Sequence, residues 1–272
     1  MEKLQAALDK ARKSRTEHGD LPDIDRAPEN SGAGPVGRGA DRWAALAPLE
    51  LKDESLVKRR IVTRTARQAA TPFDILRTKA LLQMRKNGWT RLAITSPMPQ
   101  AGKTTMSCNL ALALSRQREL RSMLFDFDLR DPTIAAFFDT LPEHGIGEAM
   151  TGAVPFDKQA MRYKDNLIVS MAQREEPDPT RILLADETAK KLDVVQAEYE
   201  PDVMIFDLPS LLVNDDSRAF LKNADCAIIV ARADVTQYSQ FQVCKREVSE
   251  QTNLLGVVLN AYRYDKHAYR NA

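Results

Sequence analysis

Residues 95–105 read Thr-Ser-Pro-Met-Pro-Gln-Ala-Gly-Lys-Thr-Thr, directly after the apolar run of residues 91–94. This order predicts a strand that runs into a phosphate-binding loop. Gly102 lets the backbone approach a phosphate closely, Lys103 can reach the β and γ oxygens, and the Thr104 hydroxyl suits Mg²⁺. Because a helix is predicted from residue 103, the loop would lie at a helix N-terminus, where free N–H groups favour anions.

The loop departs from the strict pattern G-x-x-x-x-G-K-[ST] at one position, where Pro97 stands in place of glycine. The alternative is an ordinary strand-to-helix turn that carries a Gly-Lys pair by chance. The phosphate-loop interpretation predicts nucleotide contacts from Pro99, Gln100, Ala101, Gly102, Lys103, Thr104 and Thr105.

The composition is that of a globular protein in a reducing compartment. The 272 residues are 43% hydrophobic and 28% charged, and the net charge of +1 predicts no nucleic-acid partner. Three widely separated cysteines offer neither a zinc site nor a disulfide framework. No apolar run reaches the ~18 residues of a membrane span, and the N-terminus lacks the apolar core of a signal peptide. We therefore expect a cytoplasmic protein that meets the membrane only through a partner.

The chain divides into four predicted segments. Residues 1–16 form an amphipathic helix, either solvated or a docking helix for a partner, and residues 17–50 form a linker rich in Pro and Gly. Residues 51–261 form the P-loop domain, and residues 262–272 form a tyrosine-containing tail. Within the domain, residues 52–91 carry eleven Lys and Arg against three acids. This excess predicts either a solvated helical surface or a face for an acidic neighbour or anionic lipid.

Apolar runs and helical stretches alternate from residue 91 onward. The predicted strands are 91–95, 122–127, 167–170, 202–207, 225–231 and 255–260, and the predicted helices are 103–117, 180–198, 214–222 and 236–250. Several strands are continuous apolar runs, as expected for strands buried on both faces. The predicted fold class is α/β, a mostly parallel sheet of the P-loop NTPase type with helices on both faces. The nucleotide then lies at the carboxyl edge of the strands.

Carboxylates end two of the predicted strands. Asp126 and Asp128 close one strand and, by strand alternation, point to the same side, where they could bind Mg²⁺ or accept a proton. Asp207 closes another strand and could organise Mg²⁺ through water. Each carboxylate could instead cap the following helix. Asn260 ends the last strand, where its amide could bind an adenine edge or simply close a turn.

Three motifs resemble those of the bacterial tyrosine kinases of capsule and exopolysaccharide synthesis, which are P-loop proteins. The first is Ser-Pro-Met-Pro-Gln-Ala-Gly-Lys-Thr at 96–104, in which Pro97 fits the family pattern and Gln100 replaces the usual glycine. The second is Asp-Phe-Asp-Leu-Arg-Asp-Pro at 126–132. The third is Asp-Leu-Pro-Ser at 207–210, with Ser210 in the place of a second proline.

The resemblance implies ATP-dependent transfer of the γ-phosphoryl group to tyrosine, with ATP and Mg²⁺ as cofactors. In this mechanism orientation and electrostatics supply most of the rate. Asp126 would lie near the tyrosine hydroxyl as a base, and Arg130 would position charge. The implied catalytic set is Lys103, Asp126, Asp128 and Arg130, and the implied Mg²⁺ set is Thr104, Asp128 and Asp207.

The end of the chain resembles the family's terminal cluster of phosphorylated tyrosines. Tyr262, Tyr264 and Tyr269 all fall within the last eleven residues. Tyr269 has the reach to enter a neighbouring copy's site, whereas Tyr262 would have to peel away from the domain. The alternative is that these tyrosines give a polar tail an apolar anchor.

The resemblance also implies partners, namely a homo-oligomer and a membrane adaptor of the polysaccharide chain-length-determinant type. Thr71 and Asp74 replace two residues of the family's Glu-x-x-Arg-x-x-Arg assembly helix, and only Arg77 matches. This difference argues against ring formation through contacts of that helix. One alternative function is an ATPase switch of the chromosome-partitioning or division-site-placing kind, but Met98 stands where those proteins carry a second loop lysine. Another is a non-catalytic nucleotide-binding scaffold.

Overall fold

The computed structural model describes residues 38–64 and 67–262, and these residues build one sheet of eight strands. The strands are β1 (Ala47–Pro48), β2 (Arg91–Ser96), β3 (Ser122–Asp126), β4 (Met161–Tyr163), β5 (Leu167–Ser170), β6 (Val203–Ser210), β7 (Cys226–Arg232) and β8 (Asn253–Asn260). Their order across the sheet is β1-β4-β5-β3-β6-β2-β7-β8. All paired strands are parallel except β4 and β5. The predicted mostly parallel α/β sheet is confirmed.

Helices cover both faces of the sheet. In the described residues they are Arg38–Ala45, Asp53–Lys58, Arg67–Asn87, Lys103–Leu114, Ile134–Phe137, Ile146–Thr151, Phe156–Gln159, Pro179–Leu184, Asp186–Tyr199, Asp216–Leu221 and Tyr238–Gln251. None of these helices is long and apolar enough to span a bilayer. The predicted helix 180–198 is two helices, because Ala185 between them has an extended backbone.

Two cores, one on each side of the sheet, follow from the alternation of side chains along buried strands. On one face, Phe125 and Phe206 stack with ring centroids 5.1 Å apart beside Phe127 and Phe220. On the other face, Leu124 and its neighbours pack against the helix Lys103–Leu114. The sheet is thus fully covered in its centre, and its polar groups are concentrated where strands end.

Residues 38–50 belong to the folded domain, so the predicted linker through residue 50 is wrong for this part. The helix Arg38–Ala45 leads into β1, and Trp43 is only 2% exposed. The Trp43 indole Nε1 donates a hydrogen bond to the Tyr199 carbonyl over 2.8 Å. A few large apolar residues in a Gly- and Pro-rich context were sufficient to fix the segment. The predicted helix 1–16 and linker residues 17–37 lie outside the described residues.

The helix Arg67–Asn87 carries the residues that differ from the family's assembly motif. Arg77 Nη1 lies 3.2 Å from Asp74 Oδ1, as their i, i+3 spacing suggested, and also donates to the Ala113 carbonyl. Arg116 lies 3.1 Å from the same Asp74 oxygen. These side chains join the helix to the end of the neighbouring helix Lys103–Leu114, so the three charges are engaged within the chain.

Candidate functional site

The phosphate loop connects β2 to the helix Lys103–Leu114, as predicted. Gly102 precedes the helix with a φ of 94°, in the left-handed region that favours glycine. A Cβ at this position would lie 2.2 Å from the Asn260 amide nitrogen. The Asn260 Nδ2 group donates to the Ala101 carbonyl over 2.8 Å. The end of β8 therefore holds the loop directly, and contact of Asn260 with adenine stays a prediction.

Lys103 is buried at the start of this helix and faces the ends of two other strands. Its Nζ lies 3.6 Å from Asp128 Oδ2 and 3.4 Å from Ser210 Oγ. Burial raises the pKa of Asp128, and the nearby Lys103 ammonium opposes that rise. The structure thus brings the predicted loop lysine against one of the predicted carboxylates, with a serine that sequence reasoning had treated only as a departure.

Asp126 and Asp207 are paired in register on the neighbouring strands β3 and β6. Both are fully buried, on the face packed against the helix Lys103–Leu114. Burial and the Asp207 carboxylate raise the pKa of Asp126 well above its ordinary value. Burial raises the pKa of Asp207 to about 6, although Lys103 and the Thr104 hydroxyl lower it. Two carboxylates that disfavour charge in this way form a place where a cation is stabilised.

The carboxylates have unused capacity for such a cation. Asp126 Oδ1 and Asp207 Oδ2 are buried and have no hydrogen-bond partner. The opposite oxygens are occupied, because Asp126 Oδ2 accepts from the Ile134 N–H and Asp207 Oδ1 accepts from the Ser107 hydroxyl. Orphaned carboxylate oxygens of this kind are costly unless a proton or a metal satisfies them. These hard oxygen donors fit Mg²⁺.

A metal here would need ligands beyond carboxylates. In residues 38–64 and 67–262, no three His, Cys, Asp or Glu side chains are grouped so that they could hold a metal ion alone. The Thr104 hydroxyl, which lowers the pKa of Asp207, supplies a further oxygen at the same place. Mg²⁺ usually keeps several waters and takes substrate phosphates as ligands, so a partial protein shell is what a nucleotide–Mg²⁺ site requires.

Asp126 does not lie at a surface. Its side chain is fully buried beside Asp207, while Asp128, two residues later, is 9% exposed. The structure therefore places Asp126 beside Asp207 and not at a position that a tyrosine hydroxyl can reach directly. Strand alternation predicts a side for Asp126 but gives no depth, and β3 ends at Asp126, before Asp128.

Arg130 lies at the rim of the site and is fixed by another carboxylate. Its guanidinium binds both oxygens of Asp216, with Nε–Oδ2 at 2.5 Å and Nη2–Oδ1 at 3.2 Å. Thr180 hydrogen bonds the same Asp216 carboxylate. The Arg130 side chain keeps 47% of its surface exposed. Bidentate pairing to a buried acid orients a positive charge at the surface.

A cavity of about 380 Å³ adjoins the loop on the β8 side. It is lined by Arg60, Arg232, Ala233, Asp234, Val235 and Ala261. Arg232 Nη1 donates to the Gln100 carbonyl over 3.2 Å, so the cavity wall and the loop are in contact. Its volume lies at the low end of the range typical of small-molecule sites.

Several polar residues at the site escaped sequence reasoning. Thr133 Oγ1 donates to Thr104 Oγ1 over 3.2 Å, and Thr95 Oγ1 donates to the Pro209 carbonyl over 2.8 Å. The Asn109 side chain holds residues 60–63 against the phosphate-loop helix through three hydrogen bonds. Ser107 could have been found, because its i, i+4 spacing from Lys103 puts it on the same helix face. The others depend on contacts between distant segments.

The tail is described only at its start. Tyr262 follows β8 by two residues and is 56% exposed, in a groove that it shares with Tyr238, Phe241, Val257 and Leu259. Tyr264 and Tyr269 lie outside the described residues. The assignment of all three as phosphoacceptors stays a prediction.

The backbone conformation of Gln100 explains why glycine is usual at this position in the related kinases. Its φ is 60°, a left-handed conformation in which glycine is unstrained and other residues cost about 1–2 kcal/mol. We expect Gln100→Gly to raise the free energy of unfolding by up to ~1 kcal/mol, since part of the gain is offset by glycine's greater freedom in the unfolded chain. Chemical denaturation measures the change. Gln100→Ala keeps a Cβ and is the matched control, and an equal gain in that variant would contradict the conformational explanation.

The comparisons with known proteins agree with this geometry. A family model described as CobQ/CobB/MinD/ParA nucleotide binding domain matches residues 92–272. Tyrosine-protein kinase etk of Escherichia coli K12 is 25% identical over 201 residues, covering 73% of this chain. Tyrosine-protein kinase YwqD of Bacillus subtilis is 26% identical over 176 residues, covering 64% of this chain and 73% of its own length. The match spans only 27% of the Escherichia coli relative.

Solved structures show the same fold. The kinase domain of Escherichia coli tyrosine kinase ETK has a TM-score of 0.66 at 25% identity, covering 75% of this chain and 82% of that one. Cobyrinic acid a,c-diamide synthase from Mycobacterium smegmatis, solved with an ATP analog and magnesium, has a TM-score of 0.53 at 20% identity, covering 62% of this chain and 72% of that one. The loop, the strand-end carboxylates and the matched family model lead to one conclusion: the chain belongs to the CobQ/CobB/MinD/ParA nucleotide-binding domain family.

Proposed function

We propose that the protein is an ATP-dependent protein-tyrosine kinase that phosphorylates tyrosines of its own C-terminal tail. The observation that carries this proposal is the grouping of Lys103, Asp128 and Asp207 around the phosphate loop, with Tyr262 emerging close behind β8. The kinase names of the two relatives favour tyrosine over other acceptors.

In the proposed chemistry, several groups of the chain share the work of neutralising the phosphate charge. Lys103 and the loop N–H groups would contact the phosphates, and Thr104, Asp128 and Asp207 would hold Mg²⁺. When bound, Mg²⁺ would neutralise charge on the β and γ phosphates. The tyrosine oxygen forms a bond to the γ phosphorus as the bond to the ADP oxygen breaks, and the phenolic proton is released. Because this transition state is loose and needs little help from a base, we assign Asp126 to support of the cation site.

The remaining parts of the site fit a nucleotide. We assign the adenosine portion of ATP to the cavity beside Gln100, whose walls include Arg232 and Ala261. Arg130, held by Asp216, presents its charge at the rim, where an incoming tail would approach. This arrangement would orient the acceptor while Lys103 and the cation stabilise the transferred group.

The wider role that we propose is regulation of exopolysaccharide or capsule synthesis or export. The basis for the polysaccharide role is the resemblance of the three motifs. From the same resemblance we propose a homo-oligomer, in which the tail of one copy reaches the phosphate loop of a neighbour, and a membrane adaptor of the chain-length-determinant type that brings the protein to the inner face of the membrane. The engagement of Asp74, Arg77 and Arg116 within the chain argues that contacts between copies use other residues.

The kinase proposal is tested by incubating the purified full chain with Mg²⁺ and ATP and mapping phosphotyrosine by mass spectrometry. We expect phosphate on Tyr264 or Tyr269, and its loss from each site in the corresponding Tyr→Phe variant. Tyr238→Phe is the control, since Tyr238 is exposed but lies on a helix of the folded domain. ATP hydrolysis and ATP-dependent dimerisation without phosphotyrosine would instead support the switch function. Nucleotide binding with neither reaction would support the scaffold.

A further inference from the structure

Ser210 occupies a position that the third motif of the related kinases gives to proline. It ends β6, three residues after Asp207, and is 4% exposed. Its hydroxyl lies 3.4 Å from Lys103 Nζ and 3.2 Å from the Ser96 hydroxyl. Ser96 Oγ in turn donates to the Met98 carbonyl inside the phosphate loop over 2.7 Å. A short chain of hydrogen bonds therefore connects the end of β6 to the loop through a side chain that proline would not provide.

Lys103 is held from two sides by this arrangement. One side is the Asp128 carboxylate at 3.6 Å, and the other is the Ser210 hydroxyl. An ammonium has three donors, so binding both groups leaves one donor for a phosphate oxygen. A lysine side chain loses considerable rotamer freedom when it is fixed, and contacts that fix it before binding reduce the cost of forming the complex.

We propose that Ser210 is a positioning residue that sets Lys103 for the γ-phosphate and so favours a nucleoside triphosphate over a diphosphate. This role of Ser210 rests on the proposed nucleotide site. The loop N–H groups contact α and β phosphates, which both nucleotides have, whereas the lysine reaches β and γ. Freeing Lys103 on one side therefore weakens its contact with the γ phosphate, which only the triphosphate has.

The test is calorimetric titration of the full chain with a non-hydrolysable ATP analogue and with ADP, each with Mg²⁺. We expect Ser210→Ala to lower affinity for the analogue about 3- to 10-fold, the range for the net contribution of a typical hydrogen bond, and to lower affinity for ADP less than about 2-fold. Ser210→Thr keeps the hydroxyl and should restore most of the difference. Ser210→Pro should behave as Ser210→Ala, since it also lacks the hydroxyl.

The matched control is Ser217→Ala. Ser217 is fully buried nearby, and its hydroxyl donates to the Pro209 carbonyl over 2.7 Å without contacting Lys103. If loss of a buried hydroxyl only loosens the region, Ser217→Ala should lower the affinities for the analogue and for ADP equally. The proposal is overturned if Ser210→Ala lowers both affinities equally, or changes neither. Because binding is measured without catalysis, a triphosphate-specific loss would support Ser210 even in a protein that phosphorylates no tyrosine.

Discussion

Lys103→Met is expected to lower tyrosine phosphorylation by on the order of 100-fold or more and to weaken ATP binding strongly. Methionine has a similar length but no charge, so the phosphates lose the ammonium that contacts them. The same change removes the cation 3.6 Å from Asp128. An uncompensated carboxylate then faces the triphosphate, which adds repulsion to the lost attraction.

The measurements are nucleotide titration and phosphotyrosine yield on the same preparation. Lys158→Met is the control, because Lys158 is exposed on the short helix Phe156–Gln159 and should leave both unchanged. Circular dichroism establishes that the variant is folded. Unchanged ATP affinity in folded Lys103→Met protein would show that the phosphate loop has been placed wrongly.

Asp207→Asn is expected to have two opposite effects. Activity should fall by on the order of 100-fold, because a neutral amide is a poor partner for Mg²⁺. Stability without Mg²⁺ should rise at neutral pH by on the order of 3 kcal/mol, since the raised pKa of about 6 makes the buried charge unfavourable. The added amide N–H can also donate toward Asp126, whose Oδ1 has no partner.

The raised pKa of Asp207 determines how the stability of the protein changes with pH. Asp207 titrates at a higher pH when folded, so the native protein binds more protons than the unfolded chain between about pH 4 and about pH 6. The contribution of this group to stability therefore falls as pH rises through that window, and stays low above it. Asp126 and Asp128, whose pKa values are also raised, act in the same direction.

Urea denaturation from pH 4 to pH 8, in EDTA and in Mg²⁺, measures the effect. The wild-type protein should lose stability across the window in EDTA and recover part of it in Mg²⁺. Asp207→Asn should show a shallower loss and little response to Mg²⁺. Asp157→Asn, a change at an exposed carboxylate, should follow the wild type. A wild-type curve that is flat in EDTA would contradict the inferred burial of charge.

The central strands could be predicted because their signal is strong and local. Apolar runs such as Val203-Met204-Ile205-Phe206 are covered on both faces, so no polar residue interrupts them. β4 was missed because it has three residues, one of them arginine, and gains its hydrogen bonds from β5 in the antiparallel sense. Whether such a short segment forms a strand depends on the strand beside it and not on its own composition.

The site was predictable where the chain's own spacing determines position. Lys103 and Thr104 follow Gly102 directly, and the ends of parallel strands place Asp128 and Asp207 at the same edge. Depth was not predictable, because strand alternation gives a side but no distance from solvent, as Asp126 shows. The contact between Ser210 and Lys103 joins residues 107 positions apart. Neither local sequence indicates that these two side chains are in contact.

The strand order has a consequence for how the protein can be held while it works. β1, where the described chain enters the sheet, and β8, where it leaves, are the two opposite edges. With strands about 4.8 Å apart, roughly 30 Å of sheet separates them. In the proposed kinase, a partner bound ahead of β1 and an acceptor tail following β8 would therefore not compete for space. The molecule would then stay bound to the partner at one edge of the sheet, while the tail at the opposite edge moves between neighbouring copies.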